Sequence, residues 1–320
     1  MSVNPFAADS AVPARLGKIG ETEKAAIADA ILAAIAPAKS QPQDNIGGVI
    51  PASVVSELVG RFGLQSERDL MCLLLDLAAR EMAKPLISNF HVGAVGLETE
   101  TGNLILGGNV EFPTTHLGYT LHGEGFVFTR AMSRGTNIGV IAIGEAHPCA
   151  HCRQCLAEYA ASDRLELIDP LGHTLTLAQL YPWPFDPAYL GERGAVPGRE
   201  LWSNLRFEED SVSPAAKTLL TAGRRSHSPY SKCPGALTLH LRDGAAVTGT
   251  AIESVAFNPT IHPVQSALVD LLAHGYGYTD IVGASLGTVR GGAVDYTAST
   301  RELLSRIVPD TPVMVMGWAV

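Results

Sequence analysis

The sequence has little positive charge, no long apolar segment and few cysteines. It contains 23 Lys and Arg against 32 Asp and Glu, which gives a net charge of −9. Affinity for nucleic acids depends mostly on cationic side chains that neutralise phosphates, so we expect no nucleic-acid partner. No stretch of eighteen or more apolar residues occurs, so we expect no membrane span and no membrane partner.

The cysteine content and the N-terminus indicate a reducing compartment. Five cysteines in a chain of 320 residues are an odd number, which does not suit a disulfide framework. The first residues lack a basic head followed by an apolar segment, so we expect no secretory signal. Because thiols stay reduced in the cytosol, we predict a cytoplasmic protein.

Periodicity predicts an α/β protein of two domains, or of one domain with appendages. Helical patterns cover residues 21–36, 53–60, 66–83, 122–133 and 149–161. Apolar runs typical of strands cover residues 90–98, 104–107, 138–143 and 165–168. This alternation indicates a three-layer α/β/α domain. Residues 1–18 show no periodicity, and we expect them to be poorly structured.

Short matching segments predict that this fold is duplicated. Residues 88–94 (SNFHVGA) resemble residues 231–236 (SKCPGA). In both halves a glutamate precedes a histidine by about ten residues: Glu111 before His122, and Glu253 before His262. The shared order favours duplication over chance similarity. We therefore divide the chain into a helical N-terminal region (1–65), a first α/β domain (66–180), a connector (181–212) and a second, degenerate domain (213–320).

The first half carries a motif typical of a zinc site. His122 is followed at position 124 by Glu124, and Pro148 precedes Cys149 and Cys152. One imidazole and two thiolates leave a fourth zinc position open, as in catalytic sites. The pattern H-x-E…P-C-x-x-C is the known signature of zinc deaminases.

A closed structural zinc site is the alternative interpretation of the same motif. It needs a fourth protein ligand, and His147, His151 and Cys155 are all near in the sequence. We favour the catalytic interpretation because Glu124 has no role in a closed site. In the second half Val264 replaces this glutamate, and no cysteine follows Cys233, so we expect no zinc there.

Glu124 is the predicted proton shuttle of a hydrolytic deamination. Zinc lowers the pKa of bound water from ~15.7 toward ~7, so a hydroxide could add to C4 of a pyrimidine. Glu124 would carry the released proton to N3 and then to the departing amino group. An ordinary helix-start glutamate is the alternative, but it does not explain the three ligands beside it.

Three further residues are candidates for binding a nucleoside. Asn109 and Glu111 point to the same side of an extended chain and could hydrogen-bond sugar hydroxyls; ordinary turn chemistry is the alternative. A carboxylate here would repel a phosphate, which favours a nucleoside over a nucleotide. Phe90 could stack on a pyrimidine, although an isolated phenylalanine is more often a core residue.

The chain resembles the large homodimeric cytidine deaminases over about residues 50–290. The segments that carry the resemblance are LISNFHVGA, GGNVEF, HGE, HPCAHCRQ, RSHSPYSKCPGAL and AFNPTIHPVQSAL. The resemblance implies a duplicated cytidine deaminase fold, a homodimer and one Zn²⁺ per chain. It also implies hydrolysis of cytidine and 2′-deoxycytidine to uridine and 2′-deoxyuridine with release of ammonia.

The resemblance also assigns roles to residues at matching positions. The implied ligands are His122, Cys149 and Cys152, and the implied proton donor is Glu124. Phe90, Asn109 and Glu111 would surround the nucleoside, with the backbone of Gly123 against the base. Residues 181–185 (YPWPF) resemble the family segment whose phenylalanine, here Phe185, reaches the neighbouring protomer's active site.

This chain departs from the family's usual pattern at three places. Gly123 replaces the usual alanine of H-A-E, His147 replaces a frequent threonine, and Gly125 replaces a polar residue. These departures bear on substrate preference rather than on reaction class. The alternatives are a deaminase of a related nucleoside or nucleotide analogue, a nucleic-acid editing enzyme and a non-catalytic zinc protein.

Overall fold

The computed structural model describes residues 6–37, 41–144, 147–208 and 213–320. The helices in the described residues are α1 (Ala11–Leu16), α2 (Glu21–Ile35), α3 (Ala52–Arg61), α4 (Glu67–Leu73), α5 (Leu75–Met82), α6 (Gly123–Arg134), α7 (Ala150–Ala157), α8 (Leu177–Leu180), α9 (Pro214–Arg224), α10 (Pro263–Ala273) and α11 (Thr297–Ile307). The strands are β1 (Val49–Ile50), β2 (Lys84–Pro85), β3 (Gly93–Glu98), β4 (Leu104–Gly108), β5 (Val110–Glu111), β6 (Ile138–Ile143), β7 (Glu166–Ile168), β8 (Thr174–Thr176), β9 (Arg206–Phe207), β10 (Ala236–Leu241), β11 (Ala246–Thr250), β12 (Ile281–Thr288) and β13 (Val313–Ala319).

Two sheets that share the same arrangement of four strands form the two halves. Their strand orders are β1-β4-β3-β6-β7-β8 and β11-β10-β12-β13-β9. In each sheet an antiparallel hairpin, β3–β4 or β10–β11, is followed by an antiparallel neighbour and then a parallel one. The prediction of a duplicated α/β fold is therefore confirmed.

Three helices occupy equivalent places in the two halves. Helices α5 and α9 precede the hairpin, α6 and α10 follow it, and α7 and α11 join the two parallel strands. Helix α10 is buried from Pro263 to Ala273, and α6 is buried from Gly123 to Met132. These two helices contact each other, so the two halves meet through two buried helices.

A buried ion pair joins the two central helices. Arg130 on α6 is fully buried and pairs with Asp270 on α10. The Arg130 guanidinium also donates to the Gly47 carbonyl at 2.9 Å. Removing one partner of such a pair leaves the other charge buried without compensation, which costs more than the pair itself contributes.

A second buried carboxylate links the first half to the second. Glu158, just after α7, is 1% exposed. Its oxygens accept hydrogen bonds from His227 Nε2 at 2.7 Å, the Tyr230 hydroxyl at 2.7 Å and the Val255 N–H at 2.8 Å. All three donors belong to the second half. Helix α7 is therefore held at its C-terminal end by residues of the duplicate.

The expected elements and the observed ones differ at several boundaries. Helix α1 forms within residues 1–18, where we expected little structure; its Leu16 is buried in the core, and its Arg15 pairs with Asp69 at 3.1 Å. Residues 1–5 lie outside the described residues. The helix expected at 66–83 is divided at Leu74, whose N–H contacts two carbonyls of the preceding turn. The helix expected at 149–161 ends at Ala157.

The connector predicted at 181–212 is not wholly irregular. Its strand β9 pairs with β13, with Phe207 opposite Trp318, and residues 209–212 lie outside the described residues. The pairing arises from contacts far apart in the sequence, so local composition does not reveal it. The domain boundaries stay a prediction.

Among the described residues, no helix has both the length and the apolar character needed to cross a bilayer.

Asp270→Asn should destabilise the protein by about 3–5 kcal/mol, because Arg130 would keep a buried charge without its partner. The measurement is the free energy of unfolding in urea. The surface variant Asp29→Asn on α2 is the control and should change stability by no more than about 0.5 kcal/mol. Equal stability of the two variants would contradict the role assigned to this ion pair.

Candidate active site

The structure brings the three predicted zinc ligands together at two helix starts. His122 is the residue immediately before α6, and Cys149 is the residue immediately before α7. His122 Nδ1 lies 3.6 Å from Cys149 Sγ and 3.4 Å from Cys152 Sγ. The three ligand atoms all lie within 4.8 Å of one another.

These distances fit a zinc ion. Bonds of ~2.0–2.1 Å to nitrogen and ~2.3 Å to sulfur in a tetrahedral site place N and S atoms about 3.5 Å apart. The donors are already at that separation, so zinc could bind with little movement. The set supplies three protein ligands and leaves a fourth position for a small molecule.

The two thiols differ in acidity because they share a hydrogen bond. The Cys152 side chain donates to Cys149, and the Cys152 N–H also contacts Cys149 Sγ at 3.4 Å; these bonds lower the pKa of Cys149 to about 4. The same side-chain bond, together with burial, raises the pKa of Cys152. Both thiols must lose their protons to bind a metal, and the shared bond favours the thiolate form of Cys149.

Glu124 lies in the first turn of α6 and is 5% exposed. Burial raises the pKa of its carboxyl, opposed by its own backbone N–H and by His122. A raised pKa makes this carboxyl a better proton acceptor than a free one, as a general acid–base group requires. The Glu124 carboxyl lies beside Cys152, so this proton acceptor is next to the three predicted zinc ligands.

Asn109 and Glu111 both hold the loop that carries Phe90. Asn109 Oδ1 accepts from the Val92 N–H at 2.9 Å, and its Nδ2 donates to the Phe90 carbonyl at 2.8 Å. This loop wraps around the two side chains, which explains why β3 begins at Gly93 rather than at residue 90. Phe90 itself is 67% exposed, so its ring is open to a ligand.

The carboxylate of Glu111 has one acceptor position left. Its Oε2 accepts from the N–H groups of Ile87 and Ser88 at 2.9 and 2.8 Å, and its Oε1 accepts from the Ser88 hydroxyl at 2.6 Å. Burial opposes ionisation, but these bonds outweigh it and lower the pKa of the carboxyl. A carboxylate offers about four acceptor positions, so one remains on Oε1.

The second half contains the same loop without the metal motif. Glu253 accepts from the N–H groups of Tyr230 and Ser231 at 3.0 and 3.1 Å and from the Ser231 hydroxyl. The residue after each serine has a positive φ, 55° at Asn89 and 59° at Lys232. This glutamate–serine arrangement is therefore a feature of the fold that does not depend on a ligand.

A collapsed counterpart of the zinc site lies in the second half. His262 precedes α10 as His122 precedes α6, and its Nδ1 lies 3.1 Å from the Ser299 hydroxyl. Tyr296 and Ser299 occupy the helix-start positions on α11 that Cys149 and Cys152 occupy on α7.

The Tyr296 ring fills the space of this counterpart. It is 1% exposed and packs edge-on against His262 with ring centroids 5.7 Å apart. A Cβ at position 235 would lie 2.5 Å from this ring, so Gly235 is needed for the ring to fit. That the second half binds no zinc stays a prediction.

Gly123 and Gly125 differ in the space around them. A Cβ at position 123 would lie 2.9 Å from Ala94 Cβ, whereas a Cβ at position 125 meets only Leu121, at 3.6 Å. Gly123 therefore allows α6 to approach β3 closely. Gly125 instead borders a cavity of about 220 Å³ next to Cys149 and Cys152, whose far wall comes from the second half.

Phe185 is held by Gln154, a residue that no sequence motif marks. The Gln154 side chain on α7 donates to the Phe185 carbonyl at 2.8 Å and accepts from its N–H at 3.1 Å. The ring stacks on Tyr189 with centroids 5.6 Å apart and remains 42% exposed. Ser88 was also missed, although its match with Ser231 in the repeated segments was a usable signal.

Replacing both Tyr296 and Ser299 by cysteine should create a zinc site with His262. The double variant Tyr296→Cys/Ser299→Cys restores the donor set seen at His122, because the helix starts are equivalent. Zinc content at equal free zinc should rise by one ion per chain, and cobalt loading should strengthen thiolate absorption. The single variant Tyr296→Cys is the control, since two ligands hold the ion weakly. An unchanged metal content in the double variant would contradict the equivalence.

Comparison with known proteins gives matches to one family in both halves. Models of the cytidine and deoxycytidylate deaminase zinc-binding region match residues 65–165 and 182–301. A cytidine deaminase of Vibrio atlanticus is 31% identical over 92% of this chain and 94% of its own length. One from Aliivibrio fischeri is 35% identical over 77% and 81%. Cytidine deaminase 6 of Arabidopsis thaliana is 33% identical over 72% and 86%.

Solved structures give a local match. The cytidine deaminase of Mycobacterium tuberculosis shares 29% sequence identity, with a TM-score of 0.33. The match covers 37% of this chain and 96% of that chain.

Proposed function

Since this chain belongs to the cytidine and deoxycytidylate deaminase family, we propose that it hydrolyses cytidine and 2′-deoxycytidine to uridine and 2′-deoxyuridine, releasing ammonia. The observation that carries this proposal is the meeting of His122, Cys149 and Cys152 beside the buried carboxyl of Glu124. A closed structural site has no use for that carboxyl.

His122, Cys149 and Cys152 hold the zinc ion in this proposal. When bound, zinc supplies a Lewis acid at which water loses a proton near neutral pH. Glu124 accepts the proton of the attacking water and delivers it to N3 of the pyrimidine as C4 gains a hydroxyl group. It then carries the hydroxyl proton to the C4 amino group, which leaves as ammonia. Water and nucleoside are thereby converted to ammonia and the uracil nucleoside, with Glu124 returned to its first state.

The remaining candidate residues orient the nucleoside. The Phe90 ring stacks on the base, and the backbone of Gly123 lies against its edge. The free acceptor position of Glu111 takes a sugar hydroxyl, while Asn109 keeps the Phe90 loop in place. A negative carboxylate near the sugar also disfavours a phosphate there, which supports a free nucleoside as the substrate.

Exposed aromatic side chains support a homodimer. Trp183 is 85% exposed and Tyr189 63% exposed, on the same segment as Phe185. Clusters of large exposed apolar side chains typically mark protein–protein contacts. We propose that Phe185 extends to the second protomer's active site.

The five cysteines are all free thiols, which supports the proposed cytoplasmic location.

Glu124→Gln should lose turnover while keeping its zinc. Glutamine has nearly the same shape but cannot carry the proton, and such groups contribute about 10²–10⁴-fold. The measurements are cytidine turnover and zinc content of the same sample. The comparison variant Cys149→Ala should lose both zinc and activity, because one ligand is removed. Turnover close to that of the unmodified protein in Glu124→Gln would refute the mechanism.

Glu111→Gln should reduce discrimination against 2′,3′-dideoxycytidine. The unmodified protein should prefer 2′-deoxycytidine by about tenfold to a hundredfold in kcat/KM, because a missing hydroxyl leaves the carboxylate position unpaired. Glu253→Gln is a matched control, since Glu253 makes the same loop bonds without facing a ligand set. It should lose comparable stability yet keep the preference. Equal efficiency of the unmodified protein on both nucleosides would exclude the sugar-binding role of Glu111.

A mixed dimer can test the placement of Phe185. Phe185→Ala protomers keep Glu124 but lack the ring, and Glu124→Gln protomers keep the ring but lack the proton carrier. Co-expressed with different tags and purified as heterodimers, the pair should regain activity, because one site then has both groups. Activity no higher than that of the Phe185→Ala homodimer, or a monomeric mass by light scattering, would contradict the assignment.

A further inference from the structure

A second group of metal-binding side chains lies outside the proposed zinc site. His147, Asp169 and His173 each offer one ligand atom, and these atoms all lie within 4.8 Å of one another. His173 Nδ1 is 2.7 Å from Asp169 Oδ2. The rings of His147 and His173 meet edge-on with centroids 5.4 Å apart. None of the three has a role in the proposed deamination.

The sheet topology explains why these residues meet. Strands β6 and β7 are parallel neighbours, with Val140 opposite Glu166. Loops that follow parallel strands leave the sheet at the same edge. His147 lies in the loop after β6, and Asp169 and His173 lie in the turn between β7 and β8.

Asp169 and His173 are held in place before any ion binds. Asp169 is 3% exposed, and its Oδ1 accepts from the N–H groups of Leu171 and His173, both at 3.0 Å. The turn is therefore closed around the carboxylate. His147 is exposed, so its ring has room to turn toward an ion. The His173 ring would have to move away from Asp169, from 2.7 Å to the ~3.3 Å expected between nitrogen and oxygen ligands of a tetrahedral ion.

We propose that His147, Asp169 and His173 form a second site for a divalent transition-metal ion such as Zn²⁺ or Ni²⁺. Two imidazoles and one carboxylate are a donor set that these ions accept. Binding would replace the contact between His173 Nδ1 and Asp169 Oδ2 by a bond from each atom to the ion. An adjoining cavity of about 460 Å³, lined in part by His147 and His173, has room for water ligands.

This site should bind its ion more weakly than the thiolate site. It has no sulfur ligands. The positively charged Arg153 guanidinium also lines the adjoining cavity and repels a metal cation. Arg153 is directed at the carbonyls of Pro148 and Leu180, at 2.7 and 2.9 Å, and so does not pair with Asp169. The second ion should therefore exchange readily and be removed by dialysis.

The position of His147 gives the site a consequence for the protein. His147 lies two residues before Cys149, in the segment that leads to α7. An ion bound to His147, Asp169 and His173 would tie this segment to the β7–β8 turn and should raise the thermal unfolding temperature.

The test is equilibrium dialysis of the zinc-loaded protein against increasing free zinc, with elemental analysis and thermal unfolding on the same samples. One ion per chain should remain at low free zinc, and a second should bind as free zinc rises, with a higher unfolding temperature. In a parallel titration with Ni²⁺, the second ion should produce no thiolate absorption.

His173→Ala and His147→Thr should each weaken the second site by at least about tenfold, and the first ion should remain in both. His240→Ala, which removes a histidine bonded to Ser285 in the second sheet, is the control and should keep both ions. Binding of a single ion at every zinc concentration would overturn the proposal. So would a second ion that persists unchanged in His173→Ala and His147→Thr.

Discussion

In each half the N-terminal ends of two helices lie close together: α6 and α7 in the first half, α10 and α11 in the second. The side chains at these helix ends determine whether a half can bind a metal. In the first half His122 precedes α6 and Cys149 precedes α7, and their donor atoms lie 3.6 Å apart. Free N–H groups at a helix start favour negative charge nearby, which suits a thiolate. The rest of the proposed chemistry depends on this meeting, because Glu124 acts from the first turn of α6.

The second half has the same pair of helix ends, but the side chains there pack against each other. Its loop around Glu253 repeats the bonds of the loop around Glu111, and the Tyr296 ring fills the place of the thiolates. Two buried carboxylates, Glu158 and Asp270, then hold the halves together. A duplicate without ligands of its own thus stabilises both α6 and α7, the helices on which the proposed active site is built.

The parts of the site that could be predicted from the sequence are those fixed by local geometry. Cys149 and Cys152 lie within one helical turn, and Glu124 is two residues from His122, so spacing alone indicates their proximity. The duplication was also predictable, because residues 88–94 match residues 231–236 and a glutamate precedes a histidine by about ten residues in both halves. The family match over residues 65–165 and 182–301 agrees with both inferences.

What the sequence could not reveal depends on contacts between distant segments. Nothing near Tyr296 marks it as the counterpart of Cys149, since the correspondence appears only when the sheets are compared. Helix α1 buries Leu16 and pairs Arg15 with Asp69, and periodicity cannot detect these contacts. Nor does the sequence show that three of the four acceptor positions of Glu111 are already occupied by its own loop.

The most direct measurement of the central claim is the ultraviolet absorbance change on mixing the protein with five compounds. These are cytidine, 2′-deoxycytidine, their two 5′-monophosphates and a cytosine-containing single-stranded oligonucleotide. A nucleoside deaminase built on His122, Cys149, Cys152 and Glu124 should convert the two nucleosides much faster than the other three. Deamination of the oligonucleotide or of a monophosphate at a higher kcat/KM than either nucleoside would contradict the account.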